Sequence, residues 1–208
     1  MTLIDEIKEK IDGKGLKIVF PEGEDERILE AAVRHQKEGL IEPVVLGNLN
    51  EIKRVAEEHS FDIEGIEIID PDEYDISDFV EKFVERRKGK ATEEDAKKIL
   101  RDPNYFGTMM VYTDMVDGMV SGAAHSTSDT VRPALQIVKT KEGTKIVSGA
   151  MIMLGPNGER YLFADIAINI ELDADQLSEV AISSAETAEL FGIDPKIALL
   201  SFSTKGSA

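Results

Sequence analysis

The chain has 208 residues, 42% of them hydrophobic, enough to bury a sizeable core and to exclude a disordered chain. Its net charge of -17 works against broad attraction to DNA, RNA or anionic lipid, so no nucleic-acid or membrane partner is expected and an anionic ligand needs a few placed arginines. The absence of cysteine excludes a disulfide framework, cysteine catalysis and a Cys-ligated metal, and it fits a reducing cytoplasm.

The opening MTLIDEIKEK carries apolar residues at helical spacing, with charges between them, and is neither a signal peptide nor a membrane span. Short β-rich runs and amphipathic helical stretches then alternate, the pattern of a parallel sheet with crossover helices. Lys17 to Pro21 predicts a strand, and Asp25 to Lys37 a helix with Ile28, Leu29, Ala32 and Val33 inward. Pro43 to Gly47, Asn50 to His59 and Ile66 to Asp70 continue as strand, helix, strand. Ser77 to Ile99 is charged and helical, and after Asp102-Pro103-Asn104 a further helix covers Tyr105 to Met115. Met119 and Val120 predict a strand that ends in Ser121-Gly122, followed by a Gly/Ser/Thr-rich loop and a helix from Ser128 or Asp129. Ligands of open α/β sheets bind at such strand-to-helix loops.

A polar linker at Lys139 to Thr144 separates residues 1–144, a first α/β domain, from residues 145–208, the start of a second. In the second, Val147 to Leu154 and Tyr161 to Ile168 read as a hairpin around Gly155-Pro156-Asn157-Gly158. Asp175 to Phe191 reads as a helix and Lys196 to Phe202 as a buried strand. Ser203 to Ala208 then reads as a strand-exit loop with no helix after it, so the chain is expected to be incomplete at its C-terminus.

The strongest chemical candidate is Ser126-Thr127-Ser128-Asp129-Thr130-Val131-Arg132-Pro133. Hydroxyls and free N–H groups at a helix N-terminus attract anions, and Arg132 can give a phosphate two parallel hydrogen bonds. An ordinary N-cap by Ser128 or Asp129 accounts for the same residues. His125 lacks a pairing Ser–Asp order and reads as a hydrogen-bonded loop residue, while His35 and His59 read as solvated; no metal site is expected. Arg27, among acids in Glu22 to Arg27, and Arg86-Arg87-Lys88, at a helix end, each have a structural explanation in the helix dipole. Ser201 to Ser207 lacks the G-x-x-x-x-G-K-[ST] order, and no G-x-G-x-x-G opens a helix, so neither a nucleotide P-loop nor a Rossmann cofactor site is supported.

Three stretches, FPEGEDER at Phe20 to Arg27, VDGMVSGAAHSTSDTVRPALQIVKT at Val116 to Thr140 and LLSFSTKGSA at Leu199 to Ala208, resemble the phosphate acetyltransferase (phosphotransacetylase) family, in order and over the whole chain. The resemblance implies an isocitrate-dehydrogenase-like three-layer sandwich of two α/β domains, an active site in the cleft between them and a homodimer. By motif position, Arg87 and Arg132, with Arg27 as a third, look like the arginines that hold coenzyme A phosphates. Ser126, Ser128 and Thr130 look like cleft residues near the acyl phosphate. The implied reaction is reversible acetyl transfer between acetyl-CoA and inorganic phosphate, giving acetyl phosphate and coenzyme A, with coenzyme A a substrate and no cofactor needed. The family's catalytic aspartate, serine and a further arginine lie in a late Ser-Arg-Gly motif that these 208 residues lack, so no catalytic residue is assigned and activity of this chain alone is expected to be lost or impaired. The alternative is a non-catalytic module that binds coenzyme A or acetyl phosphate.

Overall fold

The computed structural model describes residues 2–200. Ile4–Lys139 forms one compact unit, and the chain from Thr140 onward belongs to another. A short helix α1 (Leu3–Ile11) opens the chain, and its Lys8 pairs with Glu38 at 2.8 Å.

The larger unit is built on a parallel sheet, β1 (Lys17–Phe20), β2 (Glu42–Leu46), β3 (Glu67–Ile69) and β4 (Gly118–Met119), in the order β3-β2-β1-β4. All three pairings are parallel, with Val19 opposite Val44 on one side and Met119 on the other. Pro43 has no N–H to give, and β3 pairs with β2 only from Val44 onward, so no rung to β3 is lost.

Helices α2 (Glu26–Lys37), α3 (Leu49–His59), α4 (Ser77–Arg87), α5 (Glu93–Ile99), α6 (Pro103–Tyr112) and α7 (Thr127–Ile137) connect or follow the strands. Side chains alternate across a strand, and the core divides accordingly. Phe20 and Val45 pack with Leu29, Ala32, Val33, Ile52, Val55 and Ala56 of α2 and α3. Val19, Val44 and Leu46 point the other way, to Phe79, Phe83, Leu100, Phe106, Met109 and Ile137 from α4 to α7. The unit is therefore a three-layer α/β/α sandwich. Of the four α2 positions expected inward, Leu29, Ala32 and Val33 are buried and Ile28 is partly buried.

The charged, helical stretch Ser77 to Ile99 holds two helices. Lys88 turns left-handed at φ 49° and Gly89 follows at φ 80°, which ends α4, and Thr92 then starts α5 with a reciprocal capping box to Asp95.

In the second unit, β5 (Ala150–Leu154) and β6 (Arg160–Ala164) form the expected antiparallel hairpin, and α8 (Ala174–Leu190) follows with a capping box between Asp173 and Gln176. Both strands are shorter than expected, because the backbone after Ala164 turns to wrap Asp165. That carboxylate accepts from the N–H groups of Gly149, Ala167, Ile168 and Asn169. Residues 196–200 form no strand, contrary to expectation: Leu199 and Leu200 are exposed and no described strand pairs with them. The remainder of that expected strand, and the Ser201 to Ala208 loop, lie outside the described residues.

Candidate functional site

In the four-stranded sheet the chain order reverses beside β1: β2 and β3 lie on one flank, and β4 on the other. Loops after β1 and β4 leave the carboxyl ends of adjacent strands in opposite senses, the position where open α/β sheets form a crevice.

After β1 the backbone stays close to β2, with Gly23 N–H donating to the Leu46 carbonyl at 3.0 Å. A Cβ at Gly23 would collide with the Val45 side chain and the Leu46 carbonyl, so this approach requires glycine. Glu22 is thereby turned toward β4 and is only 5% exposed.

After β4 the Ser121 hydroxyl donates to Asn104 Oδ1 at 2.5 Å, tying the loop to the buried first turn of α6. Gly122 follows at φ 114°, a conformation open to glycine. Four successive N–H groups then converge on Glu22: Gly122 and Ala123 on Oε2 at 2.9 and 2.8 Å, Ala124 and His125 on Oε1 at 2.7 and 3.0 Å. The His125 ring adds an Nδ1 contact of 2.7 Å to Oε1. Burial pushes the Glu22 carboxyl up, but the amides of Ala124 and Ala123, the His125 ring and the Gly122 amide outweigh it and hold the group at about 2, well below 4.5.

Arg27 clamps the same loop from the other side. Its guanidinium holds Asp25 through two contacts of 2.9 and 2.6 Å and donates to the Ala123 carbonyl at 2.8 Å.

Ser126 caps α7, accepting from Asp129 N–H at 3.2 Å and donating to Asp129 Oδ2 at 2.7 Å. The cap is thus two or three residues earlier than the Ser128 or Asp129 the sequence suggests. Thr130 donates its hydroxyl to the Ser126 carbonyl at 3.1 Å. Ser128 remains exposed, and its Oγ accepts from Arg132 Nη2 at 2.7 Å, with Asp129 Oδ1 a further 3.9 Å from that guanidinium. Ser128 and Arg132 are one turn apart and present a hydroxyl and a guanidinium together.

Arg86 and Arg87 separate in role. Arg86 donates to the last carbonyls of α7, Ile137 at 2.6 Å and Val138 at 2.8 Å, and lies 5.2 Å over the Tyr112 ring. Arg87 has no ion pair among the described residues and acts electrostatically on Tyr105, as Arg132 also does. Tyr105 packs edge-on to Phe83 and donates to Gln136 at 3.2 Å; burial raises its phenol, and the two arginines oppose that rise. Arg87 and Arg132, 45 residues apart in sequence, therefore act on one phenol.

His125 is a hydrogen-bonded loop residue, as its sequence context suggests. His59 is not merely solvated: it pairs with Glu26 at 2.9 Å and stacks on Phe61 at 5.4 Å. Among the described residues no group of His, Cys, Asp and Glu is arranged to hold a metal ion, and no helix is long and apolar enough to cross a membrane. A cavity of about 800 Å³ in the second unit, lined by residues such as Phe163, Leu177 and Val180, contains none of the expected site residues.

Four residues here escaped the sequence reading. Glu22 lies in a run with Glu24, Asp25 and Glu26, and nothing local singles it out; its place directly after β1 is the only hint. Ser121 and Asn104 meet through a hydrogen bond between residues 17 apart, and Tyr105 reaches α7 through one to Gln136, 31 residues away, so no local pattern marks them.

The chain is similar to known proteins over nearly its whole length. A Bacillus subtilis phosphate acetyltransferase is 58% identical over 207 residues, and one from Staphylococcus epidermidis is 56% identical. Each alignment covers 99% of this chain and 64% or 63% of the relative, so the chain spans a little under two thirds of the curated relatives it matches. Solved phosphotransacetylases from Staphylococcus aureus and Streptococcus pyogenes superpose with TM-scores of 0.89 and 0.92 at 53% and 56% identity, over 99% of this chain and 62% and 63% of theirs. The family model described as phosphate acetyl/butaryl transferase matches residues 2–208, and the chain belongs to that family.

Proposed function

We propose that the protein serves reversible acetyl transfer between acetyl-CoA and inorganic phosphate, with acetyl phosphate and coenzyme A as the other pair. The carrying observation is the crevice end of the sheet, where Glu22 joins the loops after β1 and β4 and α7 presents Ser128 beside Arg132. In this reading Arg132 and Arg87 bind coenzyme A phosphates, and Arg27 supports them by holding the loop carbonyl. Ser128 faces the acyl phosphate, with Ser126 and Thr130 shaping the turn around it. A homodimer in a reducing cytoplasm, with a first α/β domain over residues 1–144 and a second from 145, completes the proposal.

Transfer requires the coenzyme A thiolate to attack the acetyl phosphate carbonyl as phosphate leaves. Donors at the developing oxyanion are worth roughly 3 kcal/mol each. A thiol of pKa about 8.5 also needs a base.

One observation favours a second reading, a binding module without turnover. Glu22 and Asp129, the carboxylates bonded to this loop and turn, are both committed: Glu22 to the loop amides, and Asp129 to Ser126 with Arg132 close by. Neither is free to take a thiol proton.

The test is acetyl phosphate formation from acetyl-CoA and phosphate by the protein and by its Arg132→Ala and Arg87→Ala variants. Turnover that drops by about tenfold or more in both supports the transferase reading. Coenzyme A binding weakened by both variants, without turnover, supports the binding module. Variants that bind as well as the parent would sink the arginine assignments.

A further inference from the structure

A run of main-chain N–H groups between a strand and a helix is a ready receptor for a phosphate oxygen. Here the run from Gly122 to His125 lies between β4 and α7, and all four N–H groups are already given to Glu22, at 2.7 to 3.0 Å. Both carboxylate oxygens are engaged, His125 Nδ1 closes on one of them at 2.7 Å, and the side chain is 2% exposed.

We infer that Glu22 is a positioning residue: it fills the Gly122–His125 amide nest with an internal anion, so that an incoming phosphate group is received by Ser128 and Arg132 and not by the loop's main chain. The inference rests on the reading of α7 as the phosphate-binding helix.

Two physical points carry it. A free anion entering the nest has to displace a carboxylate tethered to the same fold, which competes at high effective concentration. A second anion beside Glu22 in that buried place would also meet like-charge repulsion with little screening. Beyond the nest the balance reverses. Arg27 is spent on Asp25 and the Ala123 carbonyl, whereas Arg132 touches one exposed hydroxyl and stands 3.9 Å from one exposed carboxylate. Glu22 thus fixes the direction in which Ser126 starts α7, and with it the place of Ser128 and Arg132.

The experiment combines residue-resolved amide exchange at Gly122–His125, with and without inorganic phosphate, and coenzyme A binding by calorimetry. In the unaltered protein the four amides are expected to be protected, to the same degree with and without phosphate. Glu22→Gln is expected to speed their exchange and weaken coenzyme A binding, each by about tenfold or more, and Glu22→Asp, which keeps the charge, to fall between. Arg132→Ala is expected to weaken coenzyme A binding while the amides stay protected. Amides that exchange freely in the unaltered protein, or gain protection only when phosphate is added, would overturn the inference, and neither result depends on a variant folding. A folded Glu22→Gln with unchanged binding would overturn it too. Undiminished coenzyme A binding by Arg132→Ala, with the amides still protected, would instead overturn the site reading beneath it.

Discussion

Because Glu22 is held at about 2 in the folded chain against 4.5 in its ordinary state, it binds its proton later than the unfolded chain does. Its contribution to stability is therefore fully present above about pH 4.5 and is lost as the pH falls toward 2. A lowering of that size corresponds to roughly 3 kcal/mol. Glu22→Gln is expected to lose about 2–3 kcal/mol in urea unfolding at pH 7, since it leaves N–H groups without an anionic acceptor. It should also decline less than the parent between pH 4.5 and 2.5. Parallel curves for the two proteins in that window would refute the assignment. Gly23 makes a complementary case, through the absence of a side chain. Gly23→Ala sets a methyl against Val45 and the Leu46 carbonyl and is expected to cost about 2 kcal/mol or more. A melting temperature unchanged by that substitution would contradict the close approach.

At the level of the element, the proposed reading has α7 separate stability from binding within three residues. Ser126 holds the cap, so Ser126→Ala is expected to destabilise the protein by about 1 kcal/mol. Ser128 holds no cap and meets only Arg132, so Ser128→Ala should leave stability within about 0.5 kcal/mol while weakening coenzyme A binding. Unfolding and calorimetry on the two variants check this, and the reverse pattern would return Ser128 to the role of cap. The helix was legible from its composition, its first residue was not. Ser126, Ser128 and Asp129 are all good caps, and the choice fell to Ser126 because the four amides gathered by Glu22 fix where the turn begins. Likewise Arg27, Arg87 and Arg132 were singled out by motif resemblance and not by their local sequence, and only packing reveals that Arg86 is consumed by the carbonyls of α7. The alternation of strands and helices was readable throughout Lys17 to Ile137, because buried parallel strands and one-sided helices have different periods. Strand ends were less readable, since they depend on tertiary contacts, as at β6, where the backbone turns round Asp165.

For the molecule as a whole, the two units differ in what they bury. Ile4–Lys139 contains both large core clusters, while the described residues from Thr140 onward bury only Val180 and Ala188 among their apolar side chains. Since local stability follows buried apolar contact, amides of β1 and β2 are expected to be the slowest to exchange, and those of β5 and β6 to exchange at least about tenfold faster. Equal protection in the two sheets would show that the hairpin draws stability from elsewhere.

The pairing of β1 with β4 also carries a kinetic meaning. Glu22 and the amides it gathers are 100 to 103 residues apart, and the chain between β1 and β4 contains two strands and five helices that can form from nearer neighbours. Closing so long a loop is an entropic cost that only the assembled β1-β2-β3 surface can offset. The crevice is therefore expected to be the last part of this unit to form, and in the proposed reading a refolding chain regains β1-β2-β3 before it can hold a ligand. A ligand that binds there captures only molecules that have finished folding, and so draws the whole population toward completion.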